Sequence, residues 1–292
     1  YGGASGNAGG CLVLAAHLDT VFGPDVDLTV RREGGRLVGP GISDNARGLA
    51  ALVALAEALR AGAISVERPI LFAAPVCEEG AGNLRGVRRL LGDGVRPAAL
   101  IALDGAGLTR VVHRALGSRR YRVTFRGPGG HSWAAFGVAN PATAVGRAIS
   151  LLPDGPPSQG PRATCVVVGL GGGTSLNSIP AEAWLDLDLR SESPAALARR
   201  DRQLHQALAA ARDAENAVRA PGTAPLAYEA LLVGERPSGE TGRDDPLVQL
   251  AVAAPRAVGV EPDLAAASTD ASAAIALGIP AITLGAGGRA GD

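Results

Sequence analysis

The sequence predicts an α/β protein with a mostly parallel sheet and helices on both faces, interrupted by an inserted ferredoxin-like α+β domain. Three observations predict it. Short apolar runs at 12–20, 70–76 and 98–103 read as buried strands; the first ends in a histidine and an aspartate, and acids follow the other two. Between the first two runs, Leu49, Leu52, Val53, Ala56 and Leu59 recur at helical spacing, with Gly62 after the last turn. Strands that alternate with helices imply parallel pairing and helical cover on both faces. From residue 119 the pattern changes. Strands at 119–126, 163–170, 183–190 and 224–233 frame helices at 141–152 and 195–218, in β-α-β-β-α-β order. The α/β pattern resumes with an apolar helix at 246–258, then Ser268-Thr269-Asp270-Ala271, a helix, and a strand at 280–284. The expected domains are therefore 1–113 with 235–292, and the insertion 114–234.

The first strand runs into His17-Leu18-Asp19-Thr20. Side chains alternate along a strand, so His17 and Asp19 are expected on the same side of the sheet edge. That spacing suits a metal-binding imidazole with a carboxylate that orients the ring or tunes a neighbouring acid. Taken alone, it suits a solvated strand-end histidine equally. A short hairpin is expected next, with 28–30 and 36–38 flanking Glu33-Gly34-Gly35. Then Gly39-Pro40-Gly41-Ile42-Ser43-Asp44-Asn45-Ala46-Arg47-Gly48 opens the helix, which places Asp44 where a plain N-cap would sit. The second strand ends in Cys77-Glu78-Glu79-Gly80 and the third in Asp104-Gly105. Paired acids at the end of a central strand are costly unless a cation or a proton neutralises them. In parallel sheets the site lies outside the carboxyl ends of the strands. His17, Asp44, Glu78, Glu79 and Asp104 are therefore expected to converge there. One histidine with several carboxylates and no thiolate is a ligand set for zinc, cobalt or manganese in a hydrolase, often as a pair of ions.

Composition excludes other classes. The formal net charge is zero, which argues against a nucleic-acid footprint or a polybasic membrane patch. The hydrophobic content of 47% and charged content of 19% are those of a soluble globular protein, and no apolar run approaches the roughly 20 residues that span a bilayer. The three cysteines, Cys11, Cys77 and Cys165, are far apart and form no CxxC pair, which fits free thiols in a reducing cytoplasm. All 28 basic positions are Arg, and with abundant Ala and Gly this points to a GC-rich bacterial gene. The sequence contains no Met, so it is expected to lack its own initiator. Residues 1–10 read as a flexible lead-in rather than a signal peptide.

Taken together, the motifs resemble those of the co-catalytic zinc peptidase and deacylase family. That family includes glutamate carboxypeptidase, peptidase T, aminoacylase, acetylornithine deacetylase and succinyl-diaminopimelate desuccinylase. The matching elements are His17-Leu18-Asp19-Thr20, Ser43-Asp44-Asn45-Ala46-Arg47-Gly48, Glu78-Glu79-Gly80, Asp104, Gly129-Gly130-His131-Ser132, Asn177-Ser178-Ile179-Pro180-Ala181, Asp188-Leu189-Arg190 and Ser268-Thr269-Asp270-Ala271. Each motif is weak alone; their order across nearly the whole chain is specific.

The resemblance implies two zinc ions per subunit, with cobalt or manganese as substitutes. His17 and Asp104 would bind one ion, Glu79 the other, and Asp44 would bridge them. Glu78 would be the general base and Asp19 would orient or tune the site. The inserted domain would be a dimerisation domain, and its His131 would reach the partner's active site to stabilise the oxyanion. By itself, a histidine in a Gly-rich turn reads as a solvated loop residue. Asn177 and Arg190 would contact the substrate's carboxylate or carbonyl, although Arg190 alone also reads as a strand-end surface pair. His113 and His205 sit in no motif and read as structural or surface residues.

Two departures stand out. The bridging motif reads Asp44-Asn45, where many members carry Asp-Asp or Asp-Lys. The family also supplies a final histidine ligand shortly after the loop seen here as Gly285-Ala286-Gly287-Gly288, and the sequence reaches Asp292 without one. Truncation at both ends is the expectation. Asp104 favours the peptidase branch, because deacylase members tend to carry Glu there. The leading expectation is a hydrolase of short peptides working as a homodimer. The alternatives are an N-acyl-amino-acid deacylase, or a catalytically impaired homologue that keeps fold and dimer.

Overall fold

The structure is a computed structural model, and it describes residues 10–153, 155 and 160–289. Residues 1–9 of the expected lead-in lie outside the described residues. The chain divides into two compact units, Tyr1–Leu116 with Arg236–Asp292, and Gly117–Glu235.

In the first unit, β1 (Leu12–Ala15) is followed by a hairpin of β2 (Arg31–Glu33) and β3 (Arg36–Val38), then α1 (Arg47–Arg60), β4 (Ile70–Ala73), α2 (Arg85–Gly92), β5 (Ala99–Leu103) and β6 (Arg110–Ala115). The second unit contributes β7 (Gly117–Arg126), β8 (Gly130–His131), α3 (Pro141–Leu151), β9 (Ala163–Gly172), β10 (Ser178–Ile179), β11 (Glu182–Ser191), α4 (Pro194–Ala217) and β12 (Ala227–Arg236). The first unit resumes with β13 (Gly239–Glu240), α5 (Pro246–Ala257), β14 (Asp263–Ala267), α6 (Ala271–Ala276) and β15 (Ala281–Leu284).

The large sheet runs β13-β6-β15-β5-β1-β4, with β14 beside β6. The pairs β1–β4, β1–β5 and β5–β15 are parallel, and β6 runs antiparallel to β15. Both faces are covered, which explains why β1 is apolar throughout rather than alternating. Val13 and Ala15 pack against Leu84, Val87 and Leu91 around α2 and against Ala271 and Ala274 of α6. Leu14 and Ala16 pack on the other face with Leu52 of α1. Among the described residues no helix is long and apolar enough to cross a membrane.

The second unit has a four-stranded sheet in the order β12-β7-β11-β9, antiparallel across β7, β11 and β9. Tyr121, Val123 and Phe125 of β7 and Leu185, Leu187 and Leu189 of β11 meet Ala144 and Ala148 of α3 and Leu204 and Leu208 of α4. The intervening residues face away and form cross-strand pairs such as Arg126–Glu182, Nε to Oε2 at 3.0 Å. Both helices start on a side-chain cap followed by proline, Asn140 with Pro141 and Ser193 with Pro194.

Several expectations are corrected. β1 stops at Ala15 and β4 at Ala73, so His17 and Asp19 stand beyond the strand and alternation no longer governs them. Instead the Leu18 N–H donates to Pro75 O at 2.8 Å, which keeps the two strand extensions side by side. The first hairpin strand is shifted to Arg31–Glu33, because only those residues pair with Arg36–Val38. β6 and β14 carry no strand signal strong enough to be read from the sequence. β6 is interrupted by charged Arg110 and Arg114, and β14 is Asp-Leu-Ala-Ala-Ala. Each strand's place comes from the sheet that borders it.

Candidate metal and active site

His17 is the centre of the site. Only 2% of it is exposed, and its Nδ1 lies 2.9 Å from the main-chain O of Asp19. Donation from Nδ1 to that carbonyl turns the lone pair of a neutral ring to Nε2. Nε2 makes no hydrogen bond of its own, yet Asp44 Oδ1 lies 2.9 Å from it and Asp104 Oδ1 3.7 Å.

Each partner is placed by its backbone. Asp44 belongs to the irregular segment Ile42–Ala46 and leaves the cap position to Ala46, so it does not cap α1. The Asp44–Asn45 peptide bond is cis. Asn45 Nδ2 donates to Leu103 O at 2.8 Å, which ties this loop to the end of β5, one residue before Asp104. Any side chain at Gly48 would overlap Asn45 Oδ1 and Leu103 O, so glycine is required for that approach. Asp19 accepts both N–H groups of the acidic pair, Glu78 N to Oδ1 at 3.1 Å and Glu79 N to Oδ2 at 2.9 Å.

The electrostatics follow from crowding acids at a buried edge. Burial pushes the Glu78 carboxyl up to about 7, against the pull of Arg236. Burial, and then the Asp44 charge, also raise Glu79. Burial raises the Asp19 carboxyl, but the two backbone N–H groups outweigh it and hold it below the ordinary range. Burial alone would lower His17, but the Asp104 and Asp44 carboxylates that face it outweigh this and push the imidazole up to about 11. The protein groups by themselves therefore demand a cation at Nε2, either a proton or a metal.

The donor set fits a metal. The ligand atoms of His17, Asp44 and Asp104 lie within 4.8 Å of one another, as do those of His17, Glu78 and Glu79. A buried imidazole nitrogen with no hydrogen bond, facing carboxylate oxygens, is the arrangement a divalent cation completes. Because the metal must displace a proton from His17, binding is expected to release protons, and affinity should rise with pH through the neutral range. The sign follows from the raised pKa: below about 11 the ring is protonated, so each unit of pH gained favours the metal by up to about tenfold. Zinc titration calorimetry in buffers of different ionisation enthalpy measures the protons released. An affinity that does not change between pH 6 and 8 would refute this.

Sequence reasoning missed Arg236, one arginine among 28 with no motif around it. It is buried against Glu78, with Nη1 donating to Oε1 at 3.1 Å. Asp270 was visible only as a motif letter. It is 3% exposed, its Oδ1 has no hydrogen-bond partner, and burial pushes it up to about 7 against the opposing pull of His17. His113 is buried in β6 with Nδ1 2.8 Å from Thr241 O, a structural contact.

The remaining candidates lie in the second unit. β8 and β10 pair, which sets His131 opposite Ser178 and bonds the Ser132 N–H to Asn177 O at 2.9 Å. His131 Nδ1 accepts from Trp133 N and Ala134 N at 3.2 and 3.4 Å, so a neutral ring carries its proton on Nε2. Asn177 Oδ1 accepts from Ser175 Oγ at 2.5 Å. Arg190 is not beside them. It pairs with Ser118 at one end of the β7–β11 ladder, whereas Arg126, just before the Gly-rich turn, pairs with Glu182 at the other. The two positions lie eight residue steps apart along the strand, roughly 26 Å. Arg190 Nη2 lies 3.0 Å from Asp188 Oδ2 on its own strand.

A histidine and four acids gathered beyond the ends of parallel strands suit a metal-dependent hydrolase. The chain belongs to the peptidase family M20/M25/M40, which matches residues 13–292. No curated protein sequence matches. Among solved structures, the fold is similar to that of a tripeptidase from Staphylococcus aureus, with 19% identity over 94% of this chain and 72% of that one, at a TM-score of 0.76. It is also similar to aminopeptidase PepT from Bacillus cereus, with 20% identity, 97% and 74% coverage and a TM-score of 0.74. Human carnosine dipeptidase 1 is similar at 14% identity, 97% and 75% coverage and a TM-score of 0.69.

Proposed function

We propose that the protein is a dinuclear zinc hydrolase that cleaves the amide bond of short peptides. The observation that carries this reading is the grouping of His17, Asp44 and Asp104, with Glu78 and Glu79, at one strand-end edge. His17, Asp44 and Asp104 would hold one ion, and Glu79 with a shared Asp44 the other. A bound metal pair supplies Lewis-acid polarisation of the scissile carbonyl and a water of lowered pKa. Glu78 would take a proton from the attacking water and return it to the leaving amine. Asp19 fixes the ring of His17 through its carbonyl and the Glu78-Glu79 turn through its carboxylate.

The second unit serves as the dimerisation domain of a homodimer. There His131, with its proton on Nε2, donates to the oxyanion in the partner's site. Asn177 assists at the carbonyl. Arg190 would exchange Asp188 for a substrate carboxylate, which suits its planar fork, at the far end of its strand from the residues that hold Asn177. A cytoplasmic location, with no membrane or nucleic-acid partner, is proposed as well, in keeping with the zero net charge and the three cysteines that form no motif pair.

The test is hydrolysis by the zinc-loaded protein of a panel of di- and tripeptides beside N-acetyl amino acids. Peptides are expected to be cleaved with the higher kcat/KM. Preference for N-acetyl amino acids would make the protein a deacylase, and turnover of neither would leave a binding homologue.

A further inference from the structure

We propose that Arg236 is the positioning residue of Glu78, clamping both ends of that glutamate and holding its carboxylate off the metal that Glu79 binds. The inference rests on the reading of Glu78 as base and Glu79 as ligand.

The two glutamates are adjacent, chemically identical and delivered by the same turn. Asp19 grips both backbone N–H groups alike, so it cannot make them different. Both also lie within reach of the His17 nitrogen, so Glu78 could become a ligand. Arg236 treats them differently. Its Nη1 donates to Glu78 Oε1 at 3.1 Å, and its Nη2 donates to the main-chain O of the same residue. The guanidinium is itself fixed, because Nη1 also meets Ser268 Oγ at 3.2 Å and Ser268 O at 3.5 Å. Arg236 and Glu78 are each 5% exposed, so little water competes for either group. A planar fork that grips one carboxylate oxygen and the carbonyl of the same residue restricts how that side chain can turn, and it engages Oε1 rather than Oε2. Arg236 is the first residue of the chain's return to the first unit after Glu235, and that placement is what brings an arginine to a strand end 158 residues away.

The test uses the cobalt-loaded protein and its visible spectrum, which reports the ligands without requiring turnover. Wild type and Glu78→Gln should give the same spectrum, because Glu78 is not a ligand. Arg236→Met should change it, as the released Glu78 carboxylate joins the metal, and the double variant R236M/E78Q should return to the wild-type spectrum. Arg236→Lys keeps a buried cation and guards against a folding defect, but a single ammonium nitrogen lacks the fork whose two nitrogens meet the two oxygens separately. In peptide hydrolysis, R236K and R236M should lower kcat about 10²-fold with KM within about twofold, the scale of a misplaced catalytic group. Unchanged spectra in both Arg236 variants, or a change that persists in R236M/E78Q, would overturn the proposal. A wild-type protein that takes up no cobalt would instead overturn the metallohydrolase reading beneath it.

Discussion

Replacing Asp44 with alanine is expected to remove both metals and abolish hydrolysis while leaving the fold intact. Asp44 is the one acid shared between the ligand sets proposed above. Without it, one ion keeps His17 and Asp104 and the other keeps Glu79, fewer than the three protein ligands a catalytic zinc ordinarily has. The fold should tolerate the change. The Asp44 side chain is about half exposed, caps no helix and belongs to no apolar core. Loss of an outer-shell partner costs about 10–100-fold in affinity or activity, and loss of the bridge should exceed that, at about 10³-fold or more. Zinc per chain after dialysis and the thermal unfolding midpoint separate metal loss from misfolding. Full zinc retention in Asp44→Ala would show that Asp44 is not the bridge.

Glu78→Gln should do the opposite, retaining metal while losing turnover. Glutamine keeps an acceptor oxygen for the Arg236 guanidinium and nearly the same volume, so the 78–79 turn should hold its shape. It cannot take a proton from water. A loss of about 10²–10⁴-fold in kcat is the scale of general acid–base work, with KM little changed. The paired measurement is zinc content beside kcat. If Glu78→Gln lost its zinc together with its activity, the roles of Glu78 and Glu79 would be reversed or shared.

The contrast between these two variants maps onto what could be read along the chain. The sequence by itself determined the parallel strands, since Leu12–Ala15, Ile70–Ala73 and Ala99–Leu103 are apolar runs that only a sheet covered on both faces can bury. It also determined that acids and a histidine follow those strands, because parallel strands deliver their C-terminal residues to one edge. The β-α-β-β-α-β order of the insertion was legible for the same reason, from period and turn residues alone.

Tertiary structure decided the rest. The strand assignment of β6 and β14 depends on neighbours that a local window does not contain. By its position alone Asp44 reads as a helix cap, and the sequence placed it at the site only through the convergence of the strand ends and the resemblance; the link from Asn45 to Leu103 O supplies the contact that bends its loop toward the end of β5. By residue type the two glutamates are indistinguishable, and in the sequence only the resemblance gives them different roles. In the fold a buried arginine 158 residues later touches one and not the other, and local periodicity carries no information about a contact at that distance. The ionic character of the site was decided in the same way. Ordinary carboxylates and an ordinary imidazole become a site that favours a cation only when the fold sets Asp44 and Asp104 against His17 Nε2 and buries Glu78 beside them.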